Sequence, residues 1–219
     1  PRRIAVDLLA DTEVARIGET LSLTVNADYL YGAPAGDLMI EGAIVLSQTD
    51  TLEGFPGYRF GLAGERMTPQ RTELASLPRT GADGKAVIEA EIGEAPDATG
   101  PLSARVVVSV REPGGRQVGD AVTLPVATDT PLIGIKPGFD GDQAGEGSLA
   151  SFEVIALGAD RTREAMNAQW TLTRIDRDFQ WYRRGSSWYY DSVERYEKVG
   201  SGAIEIGADR PARIEAPVG

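Results

Sequence analysis

The sequence predicts an all-β protein built from two tandem antiparallel β-sandwich domains, and three observations support this prediction. Apolar and polar residues alternate with a period of two along most of the chain, which is typical of half-buried strands. The 26 glycines and 13 prolines are scattered between short apolar runs, as the turns of a multi-strand sandwich require. The length of 219 residues suits two domains of roughly 110 residues, each with its own core.

Six strands are predicted in the first half of the chain, each from one alternating run. They cover residues 4–9, 21–29, 38–46, 86–92, 102–111 and 118–126. In the fifth strand Val106, Val108 and Val110 should face the core, together with Leu102 and Ala104. The Glu-Pro-Gly-Gly stretch at 112–115 predicts a hairpin turn between the last two strands.

The alternation fails between residues 47 and 80. We predict a seventh strand at 58–61 and a short helical stretch near 70–77 in this segment. A loop of such length is uncommon in a compact domain, so we also expect an element here that the pattern does not reveal.

The domain boundary is predicted near residues 126–131, where a strand ends and an extended segment begins after Pro131 without a Gly/Ser linker. The predicted domains are residues 1–128 and 129–219. In the second domain Trp170 and Leu172 share one face, and Trp170 is expected in the core. Its predicted strands cover residues 132–136, 149–157, 168–176, 179–182, 187–192 and 203–206, with a last piece at 213–216.

The segment Tyr-Leu-Tyr-Gly-Ala-Pro-Ala-Gly at 29–36 is predicted to be a corner that carries the chain from one sheet to the other. Gly32 and Gly36 can adopt φ above zero, and Pro34 fixes its own φ and withholds a donor from any ladder. The corner resembles the Tyr-x-Tyr-Gly-x-Pro corner of macroglobulin-like domains in the alpha-2-macroglobulin family. The segments at 129–141, 181–190, 199–202 and 217–219 resemble the bacterial branch of that family, in this order.

The resemblance implies two consecutive macroglobulin-like domains, each a seven-strand, immunoglobulin-like sandwich. We expect the second to lack its last strand, because no closing strand is found before Gly219. The function implied is that of a periplasmic, broad-spectrum protease trap, in which a protease cuts a bait segment and an activated thioester captures it. The residues expected to matter are structural: Tyr29, Tyr31, Gly32 and Pro34 at the corner, and Trp170.

The same resemblance implies a scaffold role for this piece. The thioester motif Cys-x-Glu-Gln must lie elsewhere, since the chain contains no cysteine. The implied partners are proteases, through the full-length protein, and neighbouring domains of the same polypeptide. A full-length protein anchored to the inner membrane is compatible with this interpretation, while no direct membrane contact is expected of these residues.

The composition excludes several classes of chemistry. Without cysteine or histidine the chain has no thiol nucleophile, disulfide, Ser-His-Asp triad or ordinary zinc site. The net charge of −11, with no uninterrupted basic cluster, argues against nucleic-acid binding. No apolar run approaches the roughly 18 residues of a membrane helix. We therefore predict no catalytic residue, cofactor or metal site, and no enzyme activity.

Two groups of acidic residues are not predicted to form functional sites. Asp140, Asp142 and Glu146 resemble the start of a calcium loop, but the fifth and twelfth positions hold Ala144 and Ser151, which favours a plain turn. Carboxylate pairs for glycoside hydrolysis are not selected by any spacing, and acidic residues at alternate strand positions usually mark the solvent face. The carboxylates concerned are Glu89, Glu91, Asp176, Asp178 and Glu194.

An aromatic run at 179–190 surrounds a predicted hairpin loop at 183–187. The preferred interpretation is structural: cross-strand aromatic pairs stabilise the hairpin, with alternate rings packed on the core and the others against each other or a neighbouring domain. The alternative is a flat aromatic platform for sugars, in an adhesion or carbohydrate-binding sandwich array. Trp181 and Trp188 would then carry the binding.

Overall fold

The structure is a computed structural model that describes residues 3–94, 98–111, 114–139, 147–185 and 187–217. Within these ranges it is all-β and contains no helix, as the sequence predicts. The strands are β1 (Ile4–Ala10), β2 (Ala15–Arg16), β3 (Thr20–Tyr29), β4 (Met39–Gln48), β5 (Arg59–Phe60), β6 (Gln70–Glu73), β7 (Lys85–Glu91), β8 (Leu102–Arg111), β9 (Gln117–Ala127), β10 (Leu132–Pro137), β11 (Leu149–Leu157), β12 (Met166–Arg184), β13 (Ser187–Ile206) and β14 (Ala212–Pro217).

The chain divides into two compact units that are not contiguous in sequence. Unit 1 comprises Pro1–Gly134 and Leu157–Thr162, and unit 2 comprises Ile135–Ala156 and Arg163–Gly219. The domain division after residue 128 stays a prediction.

Unit 1 is built on two sheets, with strand orders β1-β3-β7 and β2-β9-β8-β4-β6. Neighbouring strands are antiparallel except that β2 runs parallel to β9. The inward residues of β8 are buried as predicted, with Val106 and Val108 fully inaccessible to solvent. The hairpin of β8 and β9 is also confirmed by its register, which runs from Leu102 opposite Val126 to Arg111 opposite Gln117. Glu112 and Pro113 of its turn lie outside the described residues.

The segment 47–80 contains two strands, β5 and β6, and the helix predicted near 70–77 is wrong. Residues 70–73 are extended and pair antiparallel with β4, with Glu73 opposite Ala43. Leu74 then donates its N–H to the carbonyl of Gly42 at 2.9 Å and packs on the core with Leu77. Pairing with β4 therefore prevails over local helix propensity, which is a weak preference.

Unit 2 contains a sheet in the order β14-β11-β10, and the two-stranded antiparallel sheet of β12 and β13. The predicted breaks inside the latter pair are wrong, because β12 and β13 run uninterrupted for 19 and 20 residues. We call this pair the ribbon. A small core of Val154, Ala156 and Ile206, with Met166 and Ile214 packed against it, lies at the base of the ribbon.

Candidate functional site

The corner at 29–36 joins β3 in one sheet to β4 in the other, as predicted. Gly32 has φ of +92°, and the N–H of Tyr29 donates to the carbonyl of Ala33 at 2.8 Å. The rings of Tyr29 and Tyr31 stack with centroids 5.2 Å apart and planes within 10°. Tyr31 is 78% exposed, so its ring covers Tyr29 from the solvent side. The corner is therefore a hydrogen-bonded structural feature.

The prediction that Gly36 adopts φ above zero is wrong, because the left-handed conformation falls on Asp37, with φ of +58°. Gly36 is required for a different reason: a Cβ there would lie 2.8 Å from the carbonyl oxygen of Gly81. The buried hydroxyl of Thr80 donates to the carbonyl of Ala35 at 2.7 Å and accepts the N–H of Leu38 at 2.9 Å. These bonds fix the exit of the corner.

The prediction that Trp170 lies in the core of the second domain is wrong. Trp170 is half-buried and lies on the ribbon, over the opposing glycines of β13. A Cβ on Gly202 would come within 3.0 Å of its indole nitrogen, and one on Gly200 within 3.3 Å of its ring. Small residues on β13 thus leave room for the indole, which covers backbone that they would otherwise expose.

One face of the ribbon carries large apolar side chains. The register places Ile175 opposite Tyr196 and Trp181 opposite Tyr190, and alternation then brings every second residue to the same side. Each of these large side chains is between 51% and 65% exposed. We call this surface the aromatic face; its large apolar members are Ile175, Phe179, Trp181, Trp188, Tyr190 and Tyr196.

The rings on the aromatic face contact one another. Phe179 stacks on Tyr190 with centroids 5.2 Å apart and planes within 11°, and Trp181 meets Tyr190 at 5.0 Å with a tilt of 58°. The predicted cross-strand aromatic pairs are therefore confirmed. The prediction that alternate rings pack on the core is wrong for these residues. Phe179, Trp181 and Tyr190 are all exposed, and they lie on a sheet of only two strands.

A polar triad lies in the middle of the aromatic face. Arg177 donates to Glu194 at 2.9 Å, and the hydroxyl of Tyr196 donates to the other carboxylate oxygen at 2.5 Å. The hydroxyl of Tyr196, and then Arg177, lower the pKa of Glu194 below its usual value, while the bond to Glu194 raises the pKa of Tyr196. The carboxylate is satisfied within the ribbon.

The opposite face of the ribbon is charged. Arg174 contacts Glu197 at 2.7 Å and Asp176 at 3.1 Å, and Asp178 is paired with Val193. The ribbon is thus amphipathic, with one predominantly aromatic face and an opposite, predominantly charged face that also carries the exposed side chains of Tyr189 and Val193. Sequence analysis identified the aromatic run at 179–190 but missed the extension of this surface to Ile175 and Tyr196, although the alternation from Ile175 to Trp181 continues through the predicted break.

The other candidate residues do not form a reactive site. Glu89 and Glu91 point outward from β7, Asp176 is bound to Arg174, and Glu194 is bound within the aromatic face. The proposed calcium loop at 140–146 lies outside the described residues. Among the residues that are described, no group of His, Cys, Asp or Glu side chains could hold a metal ion. No helix in the same part of the chain is long and apolar enough to cross a membrane.

Within the described residues, each unit has an open cleft. The cleft of unit 1, of about 660 Å³, lies beside Glu65, whose carboxylate accepts bonds from the Thr99 hydroxyl at 2.6 Å and the Gln48 amide at 2.9 Å. These bonds lower the pKa of Glu65, so it is a satisfied anion and not a poised base. The cleft of unit 2, of about 710 Å³, lies between the base of the ribbon and Arg210–Arg213. Neither cleft brings together an acid and base pair.

Comparison with protein families gives matches to both halves of the chain. Residues 2–127 match the family model described as "Bacterial Alpha-2-macroglobulin MG5 domain", and residues 134–219 match "Bacterial macroglobulin domain 6".

Curated relatives align with the whole chain. An alpha-2-macroglobulin of Xylella fastidiosa (strain Temecula1 / ATCC 700964) is 29% identical over 221 residues, and that of Escherichia coli (strain K12) is 23% identical over 236 residues. The chain spans 13% and 14% of the length of these two relatives.

Solved structures share the fold over the whole chain. Salmonella alpha-2-macroglobulin reacted with methylamine gives a TM-score of 0.76 at 24% identity, and the native conformation of E. coli alpha-2-macroglobulin gives 0.71 at 22%. This chain covers 15% of each.

Proposed function

Because the chain belongs to the bacterial alpha-2-macroglobulin family, we propose that it is a scaffold part of a broad-spectrum protease inhibitor that works as a protease trap. The observation that carries the proposal is the succession of MG5 and MG6 matches at 2–127 and 134–219. The chain represents about an eighth of the curated relatives' length, at 13%. Protease capture is therefore proposed for the whole protein and not for these residues alone.

The chemistry of the chain supports a mechanical role. It has no cysteine to form a thioester, so the reactive group of the trap lies outside this piece. What the residues supply is a well-packed sandwich in unit 1 and a long, amphipathic ribbon in unit 2. We place the full-length protein in the periplasm, with proteases as its targets and neighbouring domains as the direct contacts of this piece.

Intact mass measurement of the full-length protein tests the trap. A mass gain of one methylamine after treatment, together with loss of covalent protease capture, would support a thioester trap that uses these domains as scaffold. No mass gain, but protease retained in a stable complex, would indicate an inhibitor of the same family that acts by binding alone. The proposed function would be contradicted if the protein showed no mass gain and also retained no protease.

Carbohydrate binding is the second candidate, and the exposure of Trp181 and Trp188 on one face favours it. Its test is the affinity of the full-length protein for glycans, with Trp188→Ala on the aromatic face and Val193→Ala on the charged face as matched control. Loss of glycan affinity in Trp188→Ala alone would support the candidate. The tilt of 58° between Trp181 and Tyr190 argues against a flat platform.

A further inference from the structure

The aromatic face of the ribbon has more large, exposed apolar side chains than is usual for a surface in contact with water. Six large apolar side chains lie on it, each more than half exposed. Contiguous patches of this kind mark interaction sites, because scattered exposed apolar residues are normal but clustered ones are rare. We propose that in the full-length protein this face is covered by another domain of the same polypeptide.

The ring geometry points to a protein surface as the occupant. Phe179 and Tyr190 are stacked, so each ring offers only one free face. Trp181 is tilted by 58° to Tyr190, so the rings present a ridged surface and not a plane. Ridged aromatic surfaces interdigitate with side chains, whereas a sugar ring stacks on a flat one.

The charges determine the chemistry of the covering surface. The Arg177–Glu194 pair at 2.9 Å, with the Tyr196 hydroxyl on the same carboxylate, leaves the middle of the face neutral and satisfied. A charged partner would lose solvation without gaining a counter-ion. Over this part of the face the covering domain should therefore present an uncharged, apolar surface, while the charged face with Arg174 and Glu197 remains in water. Arg183 lies opposite Trp188 at the end of the aromatic face and donates to the carbonyl of Gly185, so its charge stays at the edge of the contact.

The length of the curated relatives favours another domain of the same polypeptide as the occupant of the aromatic face. The chain spans 13% of its curated relatives, so a large part of such a protein lies outside these residues. A domain on the same polypeptide is present at a high effective concentration, which favours its docking over that of a free partner. A two-stranded sheet is also marginally stable alone in water and gains stability from such cover. The inference does not depend on whether the full protein captures proteases.

Hydroxyl-radical footprinting of the purified full-length protein tests the inference. The exposure of Trp181 and Trp188, at 65% and 64%, would give oxidation rates above half of those in the urea-unfolded protein if the face were free. We expect rates several-fold lower than that, unchanged on roughly hundredfold dilution. Rates above half of the unfolded value would overturn the inference. Protection that disappears on dilution would also overturn it, because a second copy would then be the occupant.

A photo-cross-linker in place of Trp188 identifies the covering surface, with the same replacement of Val193 on the charged face as matched control. We expect position 188 to cross-link within one molecule to a peptide outside these 219 residues, and position 193 to give several-fold less of that product. Cross-links only within the 219 residues, or between two molecules, would contradict the inference. So would equal yields from the two positions.

Discussion

At the scale of single residues, the hydroxyl of Thr80 holds the exit of the corner. It is 4% exposed and serves two backbone groups, the carbonyl of Ala35 and the N–H of Leu38. We expect Thr80→Val to lower the free energy of unfolding by about 2–4 kcal/mol, since both buried groups lose their partner while the volume is kept. Urea denaturation measures the effect. Thr80→Ser, which retains the hydroxyl, is the control and should cost much less; equal losses would show that packing matters and not the bonds.

Gly84 and Gly32 require glycine for different reasons. Both need a positive φ, but only Gly84 also lacks space for a side chain. Both have positive φ, at +75° and +92°, but a Cβ on Gly84 would lie 2.4 Å from the carbonyl oxygen of Ala27, whereas nothing lies within 4 Å of one on Gly32. We expect Gly32→Ala to cost about 1–2 kcal/mol of stability through strain alone. Gly84→Ala should cost clearly more, because backbone must move. Similar melting temperatures for the two variants would contradict this.

The corner also shows the limits of sequence analysis for single residues. Tyr29 and Gly32 were placed correctly, because the turn follows from local chemistry. The positive φ assigned to Gly36 falls instead on Asp37, and the need for glycine at position 36 was missed because the approach of Gly81 to Gly36 is a contact between distant parts of the chain. Local pattern carries no information about such contacts.

At the scale of elements, β8 was predicted with its observed bounds, whereas the two strands of the ribbon were predicted as four shorter strands. A strand with one buried side shows a clear alternation, as in β8. The ribbon between residues 174 and 198 is largely exposed on both sides, so charged residues alternate with aromatic ones and Gly200 and Gly202 resemble turn signals. A helix near 70–77 was predicted for a similar reason, since β6 is exposed throughout and its sequence lacks any inward pattern.

The polar triad of the ribbon should respond to acid. The pKa of Glu194 is depressed below its ordinary value of 4.5, chiefly by the Tyr196 hydroxyl. Its stabilising contribution is therefore present above pH 4.5 and is lost as the pH falls through the lower, folded pKa. NMR titration of the Glu194 carboxyl carbon should show a pKa that rises toward 4.5 in Tyr196→Phe. No change in the pKa of Glu194 on this substitution would contradict the assigned bond.

At the scale of the whole molecule, unit 1 depends on a segment from the second half of the chain. Leu157–Thr162 belongs to it, and Arg161 donates to the carbonyl of Val126 at 3.1 Å. We expect Arg161→Ala to destabilise unit 1 by about 1–2 kcal/mol through loss of this bond and its partly buried packing. Denaturant unfolding followed by amide exchange in β8 measures this. Arg163→Ala, in unit 2, is the control, and an equal effect would show that the contact is unimportant.

The same segment has a consequence for biosynthesis. A ribosome makes the chain from its N-terminus, so the first 134 residues emerge well before Leu157–Thr162. Unit 1 therefore cannot complete its contacts during translation until the polypeptide has passed residue 162, by which time β10 and β11 have also emerged. Co-translational folding of unit 1 should accordingly finish late, in step with the early strands of unit 2 and not as an independent first event.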